Sequence, residues 1–297
     1  MTHNKNRLYL PCLMILLQSL LYGFGDPISK AAYERVPVFS LLTVRYSIAF
    51  LFLLLLGGGK MIREWKENRS KAWILPSLCI SLSFLLSNLG LNLTTATSAA
   101  FLRSLSTIMT PLLALIFLGK KYRAVDAVIG LCSVVGLYLL CGVGGLSSFG
   151  MGEILCLASA LLMAAALLLG QRALTQMSAL SLTALQAGVS AVLAAISALT
   201  MEGGIRLSGA TPTVWGSIFY LAITCTALGF LLQNHALRRI SAKSVALLQC
   251  IYPVLTAVFS FLLLHERLGT AGVIGSFIII GCVAAQILSD SRAPAHT

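Results

Sequence analysis

Apolar residues form long, nearly unbroken runs along this chain, and short stretches rich in Gly, Pro, Asn, Ser and charge separate the runs. A membrane-spanning helix needs about 20 mostly apolar residues, because the hydrocarbon layer is about 30 Å thick and each helical residue rises about 1.5 Å. The pattern predicts an all-α polytopic membrane protein with ten transmembrane helices. The predicted spans cover residues 8–31, 38–57, 73–93, 95–118, 125–143, 151–173, 178–200, 213–235, 242–264 and 270–288.

The composition excludes most soluble classes of protein. Of 297 residues, 58% are apolar and 10% are charged, and the mean hydropathy is +0.92, whereas a soluble domain is nearer half apolar and a quarter charged. One water-soluble core could not bury so much apolar surface. The formal charge of +12 therefore indicates loops on the cytoplasmic face rather than a nucleic-acid partner, and we expect a lipid bilayer around the chain.

Lys and Arg are distributed unequally between the two sides of the predicted bundle. An even number of spans places both chain ends on one side, and that side carries most of the 21 Lys and Arg residues. Basic loops stay in the cytoplasm, so the bias predicts a multi-pass protein of the cytoplasmic membrane with both termini in the cytoplasm. The basic residues predicted on the opposite side are Lys30, Arg35, Arg206 and Arg267, and those within spans are Arg45 and Arg103.

The second half of the chain repeats the first. When the sequence is shifted by 146 residues, Asn88 falls on Asn234, and further matches follow without a gap to the end of the next span. Each predicted repeat, 8–143 and 151–288, holds five spans, and this odd number requires the two repeats to be inverted in the membrane. Inverted five-helix repeats are typical of secondary transporters, whose substrate site lies near mid-membrane where the repeats meet.

Four stretches carry a resemblance to a known family, and they are Gly25–Lys30, Phe39–Ala49, Thr97–Tyr122 and Ser244–Leu268. On these stretches the chain resembles the drug/metabolite transporter superfamily, in its ten-span branch built from two EamA domains. That family often shows Leu-Gly-Glu-Arg after spans four and nine, whereas this chain reads Leu-Gly-Lys-Lys from Leu118 and Leu-His-Glu-Arg from Leu264. Because the first copy has a lysine where the family pattern has a glutamate, a functional role for an acid after these spans is weakened. The resemblance implies a carrier of amino acids, other metabolites or drugs, without specifying the cargo.

Four polar residues of the first repeat, Asp26, Arg45, Asn88 and Arg103, lie within the outer halves of predicted spans. Helix rise places Asp26 roughly 9 Å below the outer end of span one. Ionisable groups in hydrocarbon cost at least a few kcal/mol unless they are paired or solvated, so a structural ion pair of Asp26 with Arg45 or with Arg103 is one interpretation. The second is that the surplus arginine, more readily Arg103, binds a carboxylate of the cargo, because a guanidinium is a rigid fork of donors. The structural role is favoured for Arg45, whose place matches an arginine common in the family.

Polar residues of the second repeat lie toward the cytoplasmic side, as inversion requires. Gln186 lies in span seven, Asn234 closes span eight, and Gln249 in span nine aligns with Arg103. Buried amides hydrogen-bond either other helices or a ligand, and both interpretations are kept for these three residues. Tyr252 is a further candidate for substrate binding, because the proline that follows it bends the helix and broken helices mark binding sites in carriers.

Several kinds of chemistry find no support in the sequence. The eight cysteines occur singly within apolar runs, which is typical of buried free thiols rather than a metal site or a disulfide framework. A phosphate-binding loop, a zinc-protease motif and a nucleophile elbow are all absent from the sequence. We therefore expect neither an enzyme nor a protein with a cofactor or metal.

The first interpretation of the whole pattern is a secondary active transporter that exports an amino acid or related small metabolite by alternating access, with a proton coupled through Asp26. The alternative is a multidrug exporter of organic cations, which Arg45 and Arg103 disfavour near the cavity. A non-transporting membrane scaffold is a third hypothesis. The sequence leaves a monomer and a homodimer equally open.

Overall fold

The computed structural model describes residues 2–67, 71–118, 124–141, 150–265 and 269–292. The predicted repeat boundary at 143, the residues after Leu118 in the first family motif and the Glu-Arg pair of the second lie outside the described residues. The helices are α1 (Thr2–Tyr33), α2 (Val38–Glu67), α3 (Ile74–Leu93), α4 (Ala96–Ser104), α5 (Ser106–Leu118), α6 (Ala124–Cys141), α7 (Met151–Ala173), α8 (Ala179–Met201), α9 (Pro212–Tyr220), α10 (Gly229–Leu237), α11 (Ala242–Leu248), α12 (Tyr252–Leu264) and α13 (Thr270–Arg292). A π-helical segment, Leu221–Leu228, joins α9 to α10, and a 3₁₀ turn, Gln249–Ile251, joins α11 to α12.

The helices account for the predicted spans. Nine helical runs within the described residues are long and apolar enough to cross a membrane. The remaining predicted span corresponds to α6, which has 18 residues and an apolar stretch, Ala127–Leu139, that is shorter than those of the other runs. The described part of the chain contains helices and no strands, so the predicted all-α polytopic fold is confirmed.

The distribution of side chains is that of a membrane protein. Large apolar side chains such as Leu55 (84% exposed) and Phe277 (70%) point away from the bundle, while Thr256 is fully buried within it. Lipid tails are as apolar as leucine, so helices associate through close packing of small residues and through hydrogen bonds. At one such contact, a Cβ on Gly23 of α1 would lie 2.7 Å from the Cβ of Leu255. Glycine is therefore required there for α1 to lie against α12.

Two helix starts show the same local structure in both repeats. Thr95 precedes α4, and its hydroxyl oxygen accepts a hydrogen bond of 3.0 Å from the Ser98 N–H. Ser241 precedes α11, and its hydroxyl accepts a hydrogen bond of 3.1 Å from the Ser244 N–H. A hydroxyl at this position satisfies an N–H that has no partner within the helix. The 146-residue shift places one pair on the other, so the two repeats share this capping hydrogen bond as well as their sequence pattern.

Helices α2 and α8, one from each repeat, pack along each other, and an acid beyond the end of α8 caps the start of α2. Glu202 accepts hydrogen bonds from the N–H groups of Phe39 (2.7 Å) and Ser40 (2.8 Å), and from the Ser40 hydroxyl (2.7 Å). A carboxylate is favoured here because a helix start has unpaired N–H groups and a partial positive charge. The bundle end that carries Glu202 and Tyr33 is called the Tyr33 end below.

The same pair of helices has a second cap at the opposite end of the bundle. Helix α7 ends there at Ala173, and this end is called the Ala173 end below. Gly58 has a φ of 51°, a conformation that glycine adopts without steric cost, and it turns the last part of α2 away from the span. Glu64 in that part accepts hydrogen bonds from the Ser178 N–H (2.5 Å) and from the Ser181 hydroxyl (2.5 Å) at the start of α8. The two repeats are therefore held together through α2 and α8 at both ends.

Candidate functional site

A cavity lies at the centre of the bundle, where residues of both repeats meet. It has about 530 Å³ of free space, part of which is open to solvent. Serines, glutamines and aromatic rings form much of its wall. The lining residues are Gln18, Ser19, Tyr22, Ser83, Phe84, Ser87, Arg103, Ser104, Ser106, Ser159, Met163, Gln249 and Tyr252.

Two broken helices border this cavity at corresponding positions of the two repeats. The first repeat breaks at Leu105, between α4 and α5, and the second breaks at Gln249–Ile251, between α11 and α12. The 146-residue shift places Leu105 within the second break. Leu105 (φ −63°, ψ −13°) and Gln249 (φ −66°, ψ −10°) stay in the right-handed helical region, so each break is a tight turn within one spanning run. Such a turn inside a helix often marks a functional hinge.

The break in the second repeat lies directly before the predicted Tyr252–Pro253 position. Pro253 occupies the first turn of α12, where its missing N–H leaves no hydrogen bond unmade. The turn thus comes before the proline rather than at it. The break at Leu105 was not predicted, because no glycine or proline marks it in the sequence.

Asp26 is the centre of a buried polar cluster beside the cavity. Its carboxylate accepts hydrogen bonds from the Arg103 guanidinium and from the Tyr252 hydroxyl. Arg103 also donates to the Ser87 hydroxyl at 2.7 Å, and its guanidinium lies 5.0 Å from the centre of the Tyr252 ring. The side chains of Arg103 and Asp26 are 15% and 11% exposed. This cluster joins α1, α3, α4 and α12, and therefore both repeats.

Arg45 does not form the predicted ion pair with Asp26. Its Nε donates to the Thr226 hydroxyl at 2.9 Å, in the π-helical segment, and its guanidinium lies 5.7 Å from the centre of the Tyr46 ring. The reason is rotational, because α2 packs on α8 and on the π-helical segment while Asp26 faces α4 and α12. Among the described residues, Arg45 has no acidic partner. The arginine without a carboxylate is thus Arg45, not Arg103 as the sequence interpretation expected.

Asn88 is placed by hydrogen bonds to protein. Its Oδ1 accepts from the Tyr33 hydroxyl at 2.7 Å, and its Nδ2 donates to the Phe84 carbonyl at 2.7 Å. It lies beside a second, smaller cavity with about 280 Å³ of free space, which Asp26 and Arg45 also line. Three residues line both cavities, and they are Tyr22, Phe84 and Arg103.

Three glutamines form a neutral cluster on the other side of the central cavity. Gln249 Nε2 donates to Gln18 Oε1 (3.0 Å) and to Gln233 Oε1 (2.9 Å), and Gln18 Nε2 donates to Gln233 Oε1 (2.9 Å). Sequence reasoning selected Gln249 but missed its two partners. The signal that could have found them is the one used for Gln249, an isolated amide within an apolar run.

Gln186 and Asn234 lie outside the walls of the central cavity. Asn234 Nδ2 donates to Thr183 Oγ1 at 2.9 Å and to Gln186 Oε1 at 2.8 Å, which ties α10 to α8. Both amides are buried, at 1% exposure. Of the predicted binding residues, Asp26, Arg103 and Tyr252 therefore meet in one cluster, Gln249 lines the other side of the same cavity, and Gln186 and Asn234 lie apart from them.

The π-helical segment is a further feature of the site that the sequence did not reveal. It holds Thr226, the partner of Arg45, and Cys225, whose sulfur lies against Gly25 of α1. Such segments are rare and often occur at functional sites.

Within the described part of the chain, no cluster of three or more His, Cys, Asp or Glu side chains is placed to hold a metal ion.

Known proteins with similar sequences are transporters by name. An uncharacterized transporter of Archaeoglobus fulgidus is 26% identical over 266 residues, which is 90% of this chain and 82% of that protein. The uncharacterized transporter YyaM of Bacillus subtilis is 25% identical over 248 residues, covering 80% of this chain and 77% of that protein. These names agree with a protein that is not an enzyme.

A solved structure and a family model agree with the architecture. A protein crystal structure superposes with a TM-score of 0.76 at 18% sequence identity, over 95% of this chain and 98% of the other, and so has the same fold. The model of the EamA-like transporter family matches twice, at residues 10–142 and 150–286. Two matches along one chain agree with the internal repeat. The chain therefore belongs to the EamA-like transporter family, within the drug/metabolite transporter superfamily.

Proposed function

We propose that this protein is a secondary active transporter that exports an amino acid or a related small metabolite by alternating access. The observation that carries the proposal is the central cavity, which lies between two helices broken at equivalent positions of the two repeats. That arrangement supports a binding site at the interface of two inverted repeats, where each repeat can open it to one side.

The two polar clusters act as closures of this cavity. Asp26 and Arg103 of the first repeat meet Tyr252 of the second, so this cluster must break for the cavity to open at the Tyr33 end. Gln18 of the first repeat meets Gln233 and Gln249 of the second, so the glutamine cluster must break for opening at the Ala173 end. The cargo binds between the clusters and is released when one of them separates.

A proton is the coupling ion in this mechanism, and Asp26 carries it. Protonation removes the charge of the carboxylate and so weakens its attraction to Arg103, which favours opening at the Tyr33 end. In liposomes containing the purified protein, an imposed proton gradient should change the transport rate several-fold. Transport by Asp26→Asn should not respond to the gradient. A gradient response that survives in Asp26→Asn would contradict this role.

The cargo is identified with a panel of amino acids, organic cations, sugar phosphates and nucleotide sugars. Thermal stabilisation of the purified protein selects binders, and counterflow into liposomes then tests transport. We expect amino acids or related metabolites to be bound and exchanged. A protein that binds and exchanges none of them, while remaining folded, would refute the transport proposal and favour a scaffold.

The multidrug alternative predicts that organic cations dominate this panel. The cluster chemistry argues against it, because Asp26 is already paired with Arg103 and the nearby Arg45 adds a positive charge. Preferred binding of quaternary ammonium compounds would reverse this choice. No observation on the described residues favours the multidrug role.

The proposed location is the cytoplasmic membrane, with both termini and the Ala173 end in the cytoplasm. The bias of Lys and Arg toward loops on that side supports this orientation. Reporter fusions at each terminus test it, and reporters on opposite faces would overturn both the orientation and the inverted repeat. The small-molecule cargo, the proton and the lipid bilayer are the proposed partners. Crosslinking in native membranes distinguishes a monomer from a homodimer.

A further inference from the structure

Arg45 is a buried cation that forms no ion pair among the described residues, since the nearby Asp26 carboxylate is paired with Arg103. The residue is 5% exposed, and among the described residues it contacts the Thr226 hydroxyl and the Tyr46 ring, which are both neutral. Its Nε is occupied by Thr226. The two Nη atoms, which form the outer fork of the guanidinium, have no hydrogen-bond partner in the part of the chain that the structure describes.

The charges around Arg45 do not cancel. The smaller cavity is lined by Arg45, Arg103 and Asp26, and the single carboxylate is already engaged by Arg103 and by the Tyr252 hydroxyl. The set therefore keeps one surplus positive charge. A buried charge is costly unless it is paired and hydrogen-bonded, so an arginine kept in this state indicates that an anion binds there.

Two further polar side chains of the smaller cavity are satisfied by protein, whereas the buried Tyr22 hydroxyl, which also lines it, has no hydrogen-bond partner among the described residues. Asn88 uses its oxygen and its nitrogen on Tyr33 and Phe84, and the Ser29 hydroxyl donates to the Gly25 carbonyl at 2.8 Å. The Nη fork of Arg45 is thus the charged donor available to a ligand, with the Tyr22 hydroxyl as a neutral donor beside it. A guanidinium fork matches the two oxygens of a carboxylate, because both groups are planar and their spacing allows two parallel hydrogen bonds.

We propose that Arg45 and the smaller cavity form an anion subsite that binds the carboxylate of the cargo, beyond the Asp26–Arg103 pair as seen from the central cavity. In this proposal the carboxylate end enters the smaller cavity, whose free space of about 280 Å³ includes space open to solvent, while the remainder of the cargo stays in the larger cavity. Because Arg103, Phe84 and Tyr22 border both spaces, the carboxylate reaches Arg45 when the Asp26 cluster separates. The inference rests on the proposed transport function for its cargo, but the subsite is testable without transport.

The direct test uses acetate as the probe and acetamide as its uncharged counterpart. The purified full-length protein is titrated with each at constant pH and ionic strength, and the thermal unfolding midpoint is recorded. Acetate should stabilise the wild-type protein and acetamide should not. Arg45→Gln should weaken apparent acetate binding about 10- to 100-fold, as loss of a charge-assisted bidentate contact requires.

Two further variants separate binding from folding. Arg35→Gln removes an exposed arginine at the Tyr33 end and should leave the acetate response unchanged. Arg45→Lys keeps the charge without the planar fork, so a folded Arg45→Lys should bind acetate more weakly than the wild type but more strongly than Arg45→Gln. If wild type gives no acetate response beyond acetamide, or if Arg45→Gln or Arg45→Lys responds like wild type, the subsite is refuted.

A second comparison extends the test to cargo. L-amino acids and their amides share side chain and ammonium group, and they differ in the carboxylate charge. Wild-type protein should prefer the acids at least tenfold, and Arg45→Gln should lose that preference through weaker binding of the acids. Equal preference in the two proteins would overturn the subsite even if transport is observed. Failure of every compound to exchange, with the acetate response intact, would instead refute the transport proposal alone.

Discussion

Replacing Arg103 by glutamine tests whether the Asp26 cluster holds the two repeats together. The change removes the cation but leaves the Asp26 carboxylate buried, with the Tyr252 hydroxyl as its remaining partner. Removing one partner of a buried ion pair costs about 3–5 kcal/mol, because the other charge loses its compensation. The lost hydrogen bond to Ser87 adds about 1 kcal/mol and the lost ring contact about 0.5–1 kcal/mol, while local relaxation offsets part of the sum. We expect a loss of about 3–5 kcal/mol in the free energy of unfolding.

The double variant Asp26→Asn/Arg103→Gln separates the ion pair from general damage. Without the orphaned carboxylate, the double variant should recover about 2 kcal/mol or more relative to the sum of the two single changes. The free energy of unfolding is measured in mixed micelles by far-ultraviolet circular dichroism, for the wild-type protein, both single variants and the double variant. A coupling energy below about 0.5 kcal/mol, the limit within which independent sites are additive, would refute the ion pair as an energetic link.

Arg45→Gln is the matched control for that measurement. It removes the other arginine of the same site, which forms no ion pair among the described residues and has one hydrogen bond, to Thr226, and a contact with the Tyr46 ring. Removal of an unpaired buried charge offsets part of these losses. Its cost should therefore be about 1 kcal/mol or less, well below the cost of Arg103→Gln. Equal losses for the two arginines would show that burial of the side chain, rather than pairing with Asp26, dominates.

Three further pairs of variants are checked by the free energy of unfolding in detergent. Glu202→Ala uncaps the start of α2 and should cost about 1–2 kcal/mol, whereas Glu34→Ala, at an exposed acid of the same end, should cost less than about 0.5 kcal/mol. Gly23→Ala forces a Cβ to 2.7 Å from Leu255 and should cost about 1–3 kcal/mol. Gly216→Ala in α9 has open space around it and should stabilise the helix by about 0.5–1 kcal/mol. Gln249→Leu removes two hydrogen bonds and should cost about 1–2 kcal/mol. Gln286→Leu should stabilise the protein by about 1 kcal/mol, because the buried Gln286 amide has no hydrogen-bond partner among the described residues. A reversed order within any pair would contradict the packing or hydrogen bonding assigned to it.

The bilayer makes the spans of this protein predictable from sequence. Backbone groups in hydrocarbon must be paired within a helix, so a long apolar run has one stable structure. The predicted span 73–93 corresponds to α3, Ile74–Leu93. The predicted span 38–57 ends directly before Gly58, where the backbone turns and α2 continues to Glu67 at a new angle. Helix ends follow from turn residues that the sequence shows.

The rotation of each helix about its axis cannot be predicted in the same way. Hydropathy gives the depth of Asp26, Arg45 and Arg103, and all three belong to one polar region. The choice of partner depends on which face each helix presents, and that face is set by close packing between helices. Glycine contacts such as Gly25 against Cys225 draw the π-helical segment toward α1, and Arg45 then reaches Thr226 in that segment. The break at Leu105 likewise depends on neighbours rather than on a local sequence signal.

The two closures differ in chemistry although they occupy related positions. Arg103 and Gln249 are equivalent under the 146-residue shift, yet Arg103 meets a carboxylate and Gln249 meets two amides. Amides do not titrate near neutral pH, so among these cluster residues a proton can weaken the closure at the Tyr33 end and cannot weaken the glutamine cluster. Inverted repeats by themselves would make both directions of opening equivalent. Under the proposed mechanism, the difference between a charged residue and an amide at this position should make the two openings respond differently to a proton gradient.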